Sequence, residues 1–85
     1  SILDRYEAAL KRQYPNELLE AYVRILTKES AVASNRKQYH GLAHYLKKLE
    51  RYPGGTERAL HLAKDWRIRY SRRRAMMEEL NEAGF

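Results

Sequence analysis

Residues 35–55 read NRKQYHGLAHYLKKLERYPGG. Tyr39, Leu42, Ala43, Leu46, Leu49 and Tyr52 recur at steps of three and four, the spacing that gathers side chains on one face of an α-helix. Ser34-Asn35 supplies N-cap residues, and Gln38 lies three positions beyond Asn35, as in a capping box. Pro53-Gly54-Gly55 ends the run and makes a tight reversal. The segment is therefore a helix with an apolar face, and its neighbours must cover that face.

The flanking segments carry the same period. A first helix is expected from Ile2 to Gln13, with Ser1 and Asp4 resembling a capping box and Leu3, Tyr6 and Leu10 on one face. Pro15 stops it, because proline disfavours α geometry at the preceding Tyr14. A second helix is expected from Asn16 to Ala33. Leu19, Tyr22, Val23 and Leu26 form its stripe, and Leu18 and Ile25 widen it, so this helix is expected to be buried on more than one side. Beyond the reversal, Thr56 is the expected cap of a fourth helix with Ala59, Leu62, Ala63, Trp66 and Tyr70 inward. Ser71 is the expected cap of a short fifth helix carrying Ala75, Met76, Met77 and Leu80, with Gly84 beyond it. No stretch alternates with period two, so strands are not expected.

Short connections make consecutive helices antiparallel neighbours. The expected fold is all-α: two antiparallel hairpins and a C-terminal capping helix, as a small bundle or a fragment of a TPR- or HEAT-like array. The repeat reading rests on Tyr14-Pro15 recurring as Tyr52-Pro53. Eighty-five residues make one domain, with a thin core and a radius of gyration of roughly 12 Å. The chain begins Ser1-Ile2-Leu3, which reads as a fragment of a longer protein.

Cysteine is absent, which removes disulfides, thiolate metal sites and thiol nucleophiles and fits a cytoplasmic origin. No apolar run approaches a membrane span. The net charge of +6 is unevenly spread. Residues 1–63 hold eleven Lys/Arg against seven Asp/Glu, residues 64–74 six against one, and residues 75–85 three acids and no base. The peak is RIRYSRRR, residues 67–74. There Lys64, Arg67, Arg69, Arg72, Arg73 and Arg74 are candidates to neutralise phosphates or meet a partner, with Tyr70 able to stack on a base. The alternative is a helix corner held by salt bridges. Arg72 and Arg73 would stand in the first turn of the fifth helix, where the dipole disfavours cations, so Glu78, Glu79 and Glu82, or acids on the facing helices, are expected to compensate.

Other chemistry is sparse. His40 and His44 are four apart and His61 lies across a hairpin, but HGLAH lacks the glutamate of HExxH, so no metal or other cofactor is assigned. Ser30, Ser34 and Ser71 have no evident His-acid pair, and Pro53-Gly54-Gly55 lacks the spacing of a phosphate loop. No catalytic residue is assigned, and the chain is expected not to be an enzyme. Met76 and Met77 are expected in the core rather than on a binding face.

The second half carries a further pattern: NRK-x-Y in a Tyr- and Leu-rich helix, a break, a helix containing Asp65-Trp66, then RY-x-RRR-A-M-x-EEL. On Asn35, Arg36, Lys37, Tyr39, Tyr45, Leu46, Leu49, Trp66, Arg69, Tyr70, Arg72, Arg73, Arg74, Ala75, Met76, Glu78, Glu79 and Leu80 this resembles the helical C-terminal region of bacterial SWIM zinc-finger-domain-containing proteins, a family of unknown function. That finger needs three Cys and a His, and this chain has no Cys. The resemblance therefore implies a non-catalytic accessory module downstream of the finger. Its partner would be another domain of the parent chain or a partner protein, with no membrane or small-molecule substrate. Binding of nucleic acid through residues 64–74 is the alternative.

Overall fold

A computed structural model describes residues 2–85, with side chains from Arg5 onward. The expected Ser1–Asp4 capping box and the placement of Leu3 lie outside what is described. Five helices follow one another: α1 (Ile2–Gln13), α2 (Pro15–Val32), α3 (Arg36–Leu49), α4 (Gly55–Arg69) and α5 (Arg74–Glu82). The fold is all-α, as the periodicity indicated, with no strand among the described residues. The radius of gyration is 13.3 Å and the extents are 39 × 25 × 21 Å, so the bundle is longer than a sphere of its size.

α1 and α2 share a single linking residue. Tyr14 takes φ −133° and ψ 55°, off the helical basin as Pro15 requires, and Pro15 is the first residue of α2, one earlier than expected. Tyr14 N–H still donates to Leu10 O at 2.7 Å, and Leu18 N–H donates to Tyr14 O at 3.0 Å. The helices fold back on each other, so the Tyr22 hydroxyl reaches Glu7 Oε1 at 2.9 Å. At the second Tyr-Pro the backbone does something else: α3 closes in i→i−3 turns over Glu50, Arg51 and Tyr52, and α4 begins only at Gly55. Tyr14 is exposed and Tyr52 is buried. The two dipeptides thus occupy different local structures, and the bundle reading fits better than a repeat.

α3 is the central element. It packs on α2, α4 and α5, and Leu46 at its middle is fully buried. Asn35 caps it as expected: its Oδ1 accepts from Gln38 N–H at 2.9 Å, while Gln38 Oε1 accepts from Ser34 N–H at 2.7 Å. The core joins Leu19, Val23 and Leu26 of α2 to Tyr39, Leu42, Leu46 and Leu49 of α3, Trp66 of α4, and Met76 and Leu80 of α5. Small residues Ala59 and Ala63 are buried on α4 beside the fully enclosed Trp66.

Two caps differ from the sequence reading. Thr56 does not cap α4. Gly54 takes that position with φ +73°, a left-handed conformation suited to glycine, and Gly55 opens the helix. Gly55 is pressed so closely on the end of α3 that a Cβ there would overlap the Leu49 carbonyl. Ser71 does not cap α5, which starts three residues later because Tyr70 to Arg73 is spent on a hydrogen-bonded turn (Arg73 N–H to Tyr70 O, 2.9 Å).

Gly55 and Gly41 of the α3–α4 hairpin separate these effects. Gly55→Ala should destabilise by about 3 kcal/mol or more, since backbone must move. Gly41→Ala, whose new methyl meets nothing within 4 Å, should stabilise by about 0.5–1 kcal/mol through helix propensity. Thermal melts of both variants check the pair, with shifts of opposite sign.

Candidate functional site

The arginine corner is partly engaged by the fold. Arg73 Nη1 donates to Ser30 O at 2.6 Å and Nη2 to Ala31 O at 3.2 Å, in the last turn of α2. That helix has no basic residue of its own there, so Arg73 meets two otherwise open carbonyls and the negative end of the dipole from across the molecule. The same guanidinium lies 4.0 Å from the Tyr70 ring centroid, over one face of the ring that was the candidate base platform. Arg67 donates to Asn81 Oδ1 at 2.6 Å, tying α4 to α5. Arg69 pairs with Asp65 one turn back, at 3.2 Å. Lys64, Arg72 and Arg74 are exposed and have no hydrogen bond or ion pair among the described residues.

The expected dipole conflict is corrected by the register. Arg72 precedes α5 and Arg73 is its N-cap residue, so neither sits in the first turn; only Arg74 does. The acids of α5 compensate a different cation. Arg36 of α3 donates to Glu78 and, at 3.1 Å, to Glu79 Oε2, while His40 Nδ1–H donates to Glu79 Oε1 at 2.7 Å. Glu79 is buried, yet the His40 hydrogen bond holds its carboxyl below the usual range, with the Arg36 bond and charge adding to this against the cost of burial. The second histidine of HGLAH, His44, lies edge-on to Tyr45. Among the described residues no group of three His, Cys, Asp or Glu is placed to hold a metal.

An open groove runs between α2 and α3. Ile25, which the stripe placed in the core, is 49% exposed, and Val32 is 77% exposed. They stand on α2 along one side, facing the half-exposed Tyr45 of α3. Leu26 and Leu49 lie in the floor of a cleft of about 390 Å³, with Tyr22 and Tyr52 at its α1 end. Those two rings meet edge to face at 5.9 Å. Burial raises the Tyr22 hydroxyl well above its ordinary pKa, reinforced by its bond to Glu7, and burial raises Tyr52 as well. Both phenols are neutral donors at physiological pH. A second cleft continues past Glu29 and Tyr45 to Val32, Gly41 and Leu42. The sequence signal was present: Ile25 and Val32 are seven apart on α2, on the edge of the stripe rather than in its centre.

Glu7, Glu29 and Lys48 are the charged residues that line the larger cleft of the groove. The groove offers hydrophobic area, aromatic edges and a charged rim, the makings of a contact surface.

Two outcomes follow from the arginine and glutamate geometry. Arg73→Ala should cost about 1–2 kcal/mol by opening the α2 carbonyls, whereas Arg72→Ala and Arg74→Ala should stay within about 0.5 kcal/mol of the parent in denaturant titrations. Because the folded-state pKa of Glu79 is depressed, its stabilisation is complete above the ordinary carboxylate value and fades as pH falls through the lowered one. Glu79→Gln should therefore be less stable than the parent at pH 7. The two stability curves should converge under acid.

Compared with protein-family models, curated proteins and solved structures, the chain finds no match.

Proposed function

We propose that this chain is a non-catalytic helical interaction module that docks a neighbouring domain or a partner protein through the α2–α3 groove. The observation that carries the reading is the row of Ile25, Val32 and Tyr45, large apolar side chains left in solvent along a continuous depression. Exposed apolar surface of this kind, rimmed by polar groups, marks interaction sites. The resemblance to the helical region of bacterial SWIM zinc-finger-domain-containing proteins agrees with such a role, in a larger cytoplasmic protein. Among the described residues no helix is long and apolar enough to cross a membrane.

Nucleic-acid binding is the second reading, favoured by the exposed Lys64 of α4 and the exposed Arg72 and Arg74 at the turn, which have no partner among the described residues. Engagement of Arg67 and Arg73 by other elements of the fold weakens it, since counterion release scales with the cations free to meet phosphates; Arg69 pairs with Asp65 at the surface.

Two measurements test the proposal. Ile25→Asp and Tyr45→Asp should each change stability by no more than about 0.5 kcal/mol, as expected of surface positions; a loss of several kcal/mol would make the groove part of the core and remove the docking surface. Fluorescence anisotropy with single-stranded and duplex DNA should show no binding tighter than roughly 100 μM at physiological salt. Micromolar binding with a steep salt slope, lost in Arg72→Ala/Arg74→Ala, would replace the proposal with the nucleic-acid reading.

A further inference from the structure

Resting on the docking reading above, the geometry points to one kind of occupant for the α2–α3 groove: we infer that it receives an amphipathic α-helix with an acidic end. The charge along the groove is polarised. At the Val32 end the lining is mostly apolar. At the other end it opens into a cleft bordered by Lys11, Lys48 and Arg51, against a single acid, Glu7. Glu7 already accepts the Tyr22 hydroxyl. Lys11 and Lys48 meet no carboxylate among the described residues; each lies over a tyrosine ring, Lys11 at 4.5 Å from Tyr52 and Lys48 at 5.0 Å from Tyr45. They are positioned by the groove's own walls and keep their charge toward solvent.

The molecule already contains an example of this pairing. α5 is amphipathic and acidic, and it packs on another side of α3. Met76 and Leu80 enter the core, Glu78 and Glu79 meet Arg36, and the Phe85 ring lies 4.8 Å under Lys47. α3 therefore binds an acidic amphipathic helix on one flank. Its other flank borders an apolar trench with Lys48 beside it and Lys11 of α1 at one end, and among the described residues no helix lies in it. The trench runs beside α2 from Tyr22 to Val32, about 15 Å at helical rise, which matches roughly three turns of a docked helix. Three-to-four spacing of apolar residues on that helix would fill the trench, and its carboxylates would lie over Lys11, Lys48 and Arg51.

The test uses two designed peptides of identical length and helicity, each with Leu at i, i+3, i+4 and i+7. One carries three Glu in its terminal turn and the other three Lys. Both are titrated into the 85-residue protein and followed by backbone amide shifts. The acidic peptide should move the resonances of Ile25, Val32 and Tyr45, with the Lys isomer about tenfold weaker and the difference shrinking in about 1 M salt. Lys48→Glu/Arg51→Glu should reverse the preference, and because both positions are exposed the variant should keep its helical spectrum. Equal binding of the two peptides in the trench would overturn the acidic-helix assignment while leaving the trench a docking surface. No shift at Ile25, Val32 and Tyr45 with either peptide at about 1 mM would overturn the inference itself. The wider interaction reading is decided separately, by the aspartate variants and the DNA titration.

Discussion

The last turn of α2 ends in carbonyls with no cation on their own helix, and the guanidinium of Arg73 comes from the far side of the chain to meet them. Much of the C-terminal arrangement depends on that contact. It fixes the α4–α5 turn against α2, and Tyr70 stacks on the same guanidinium to hold its plane. With the turn placed, α5 lies along α3, Met76 and Leu80 close the core, and Glu79 comes within reach of Arg36 and His40. A charged group with five donors in a fixed fork can do this where a lysine would reach fewer acceptors.

The same fold engages part of the arginine-rich stretch. A run of cations reads in sequence as a surface. In the fold, three of its five arginines have their donors committed to Asn81, to Asp65 and to the α2 carbonyls. An open apolar groove lies along α2 and α3, where the composition is unremarkable. Ile25, Val32 and Tyr45 belong to helices whose other faces are buried, and neither neighbouring helix reaches over them. α1 turns back on α2 through the single residue Tyr14 and contributes Glu7 and Lys11 to one end of the groove only.

Particular residues show how far the sequence could be read. Leu42, Leu46 and Leu49 announced α3 and its buried face, because a run of apolar residues at helical spacing has few other stable uses. Asn35 and Gln38 announced its start, since their hydrogen bonds are local. Thr56 and Ser71 misled for the converse reason. Each is a competent cap in isolation. Gly54 at positive φ and the Tyr70–Arg73 turn took the cap positions once the flanking helices had to meet at particular distances.

What the sequence determined by itself is the set of helices and most of the core: apolar period, Asn and Pro signals, and glycine at the reversal are all near-neighbour physics. What only the tertiary structure decided is which side chains remain available. Ile25 and Leu26 are adjacent in the chain and similar in chemistry, yet Leu26 is 3% exposed and Ile25 is 49% exposed. Arg72 and Arg73 are adjacent too, and only Arg73 faces the end of α2. One step along α2 turns a side chain by about 100°, and Arg72 and Arg73 lie in the turn before α5; in both pairs the packing partner, set by contacts dozens of residues away, decides which side chain is engaged and which faces solvent.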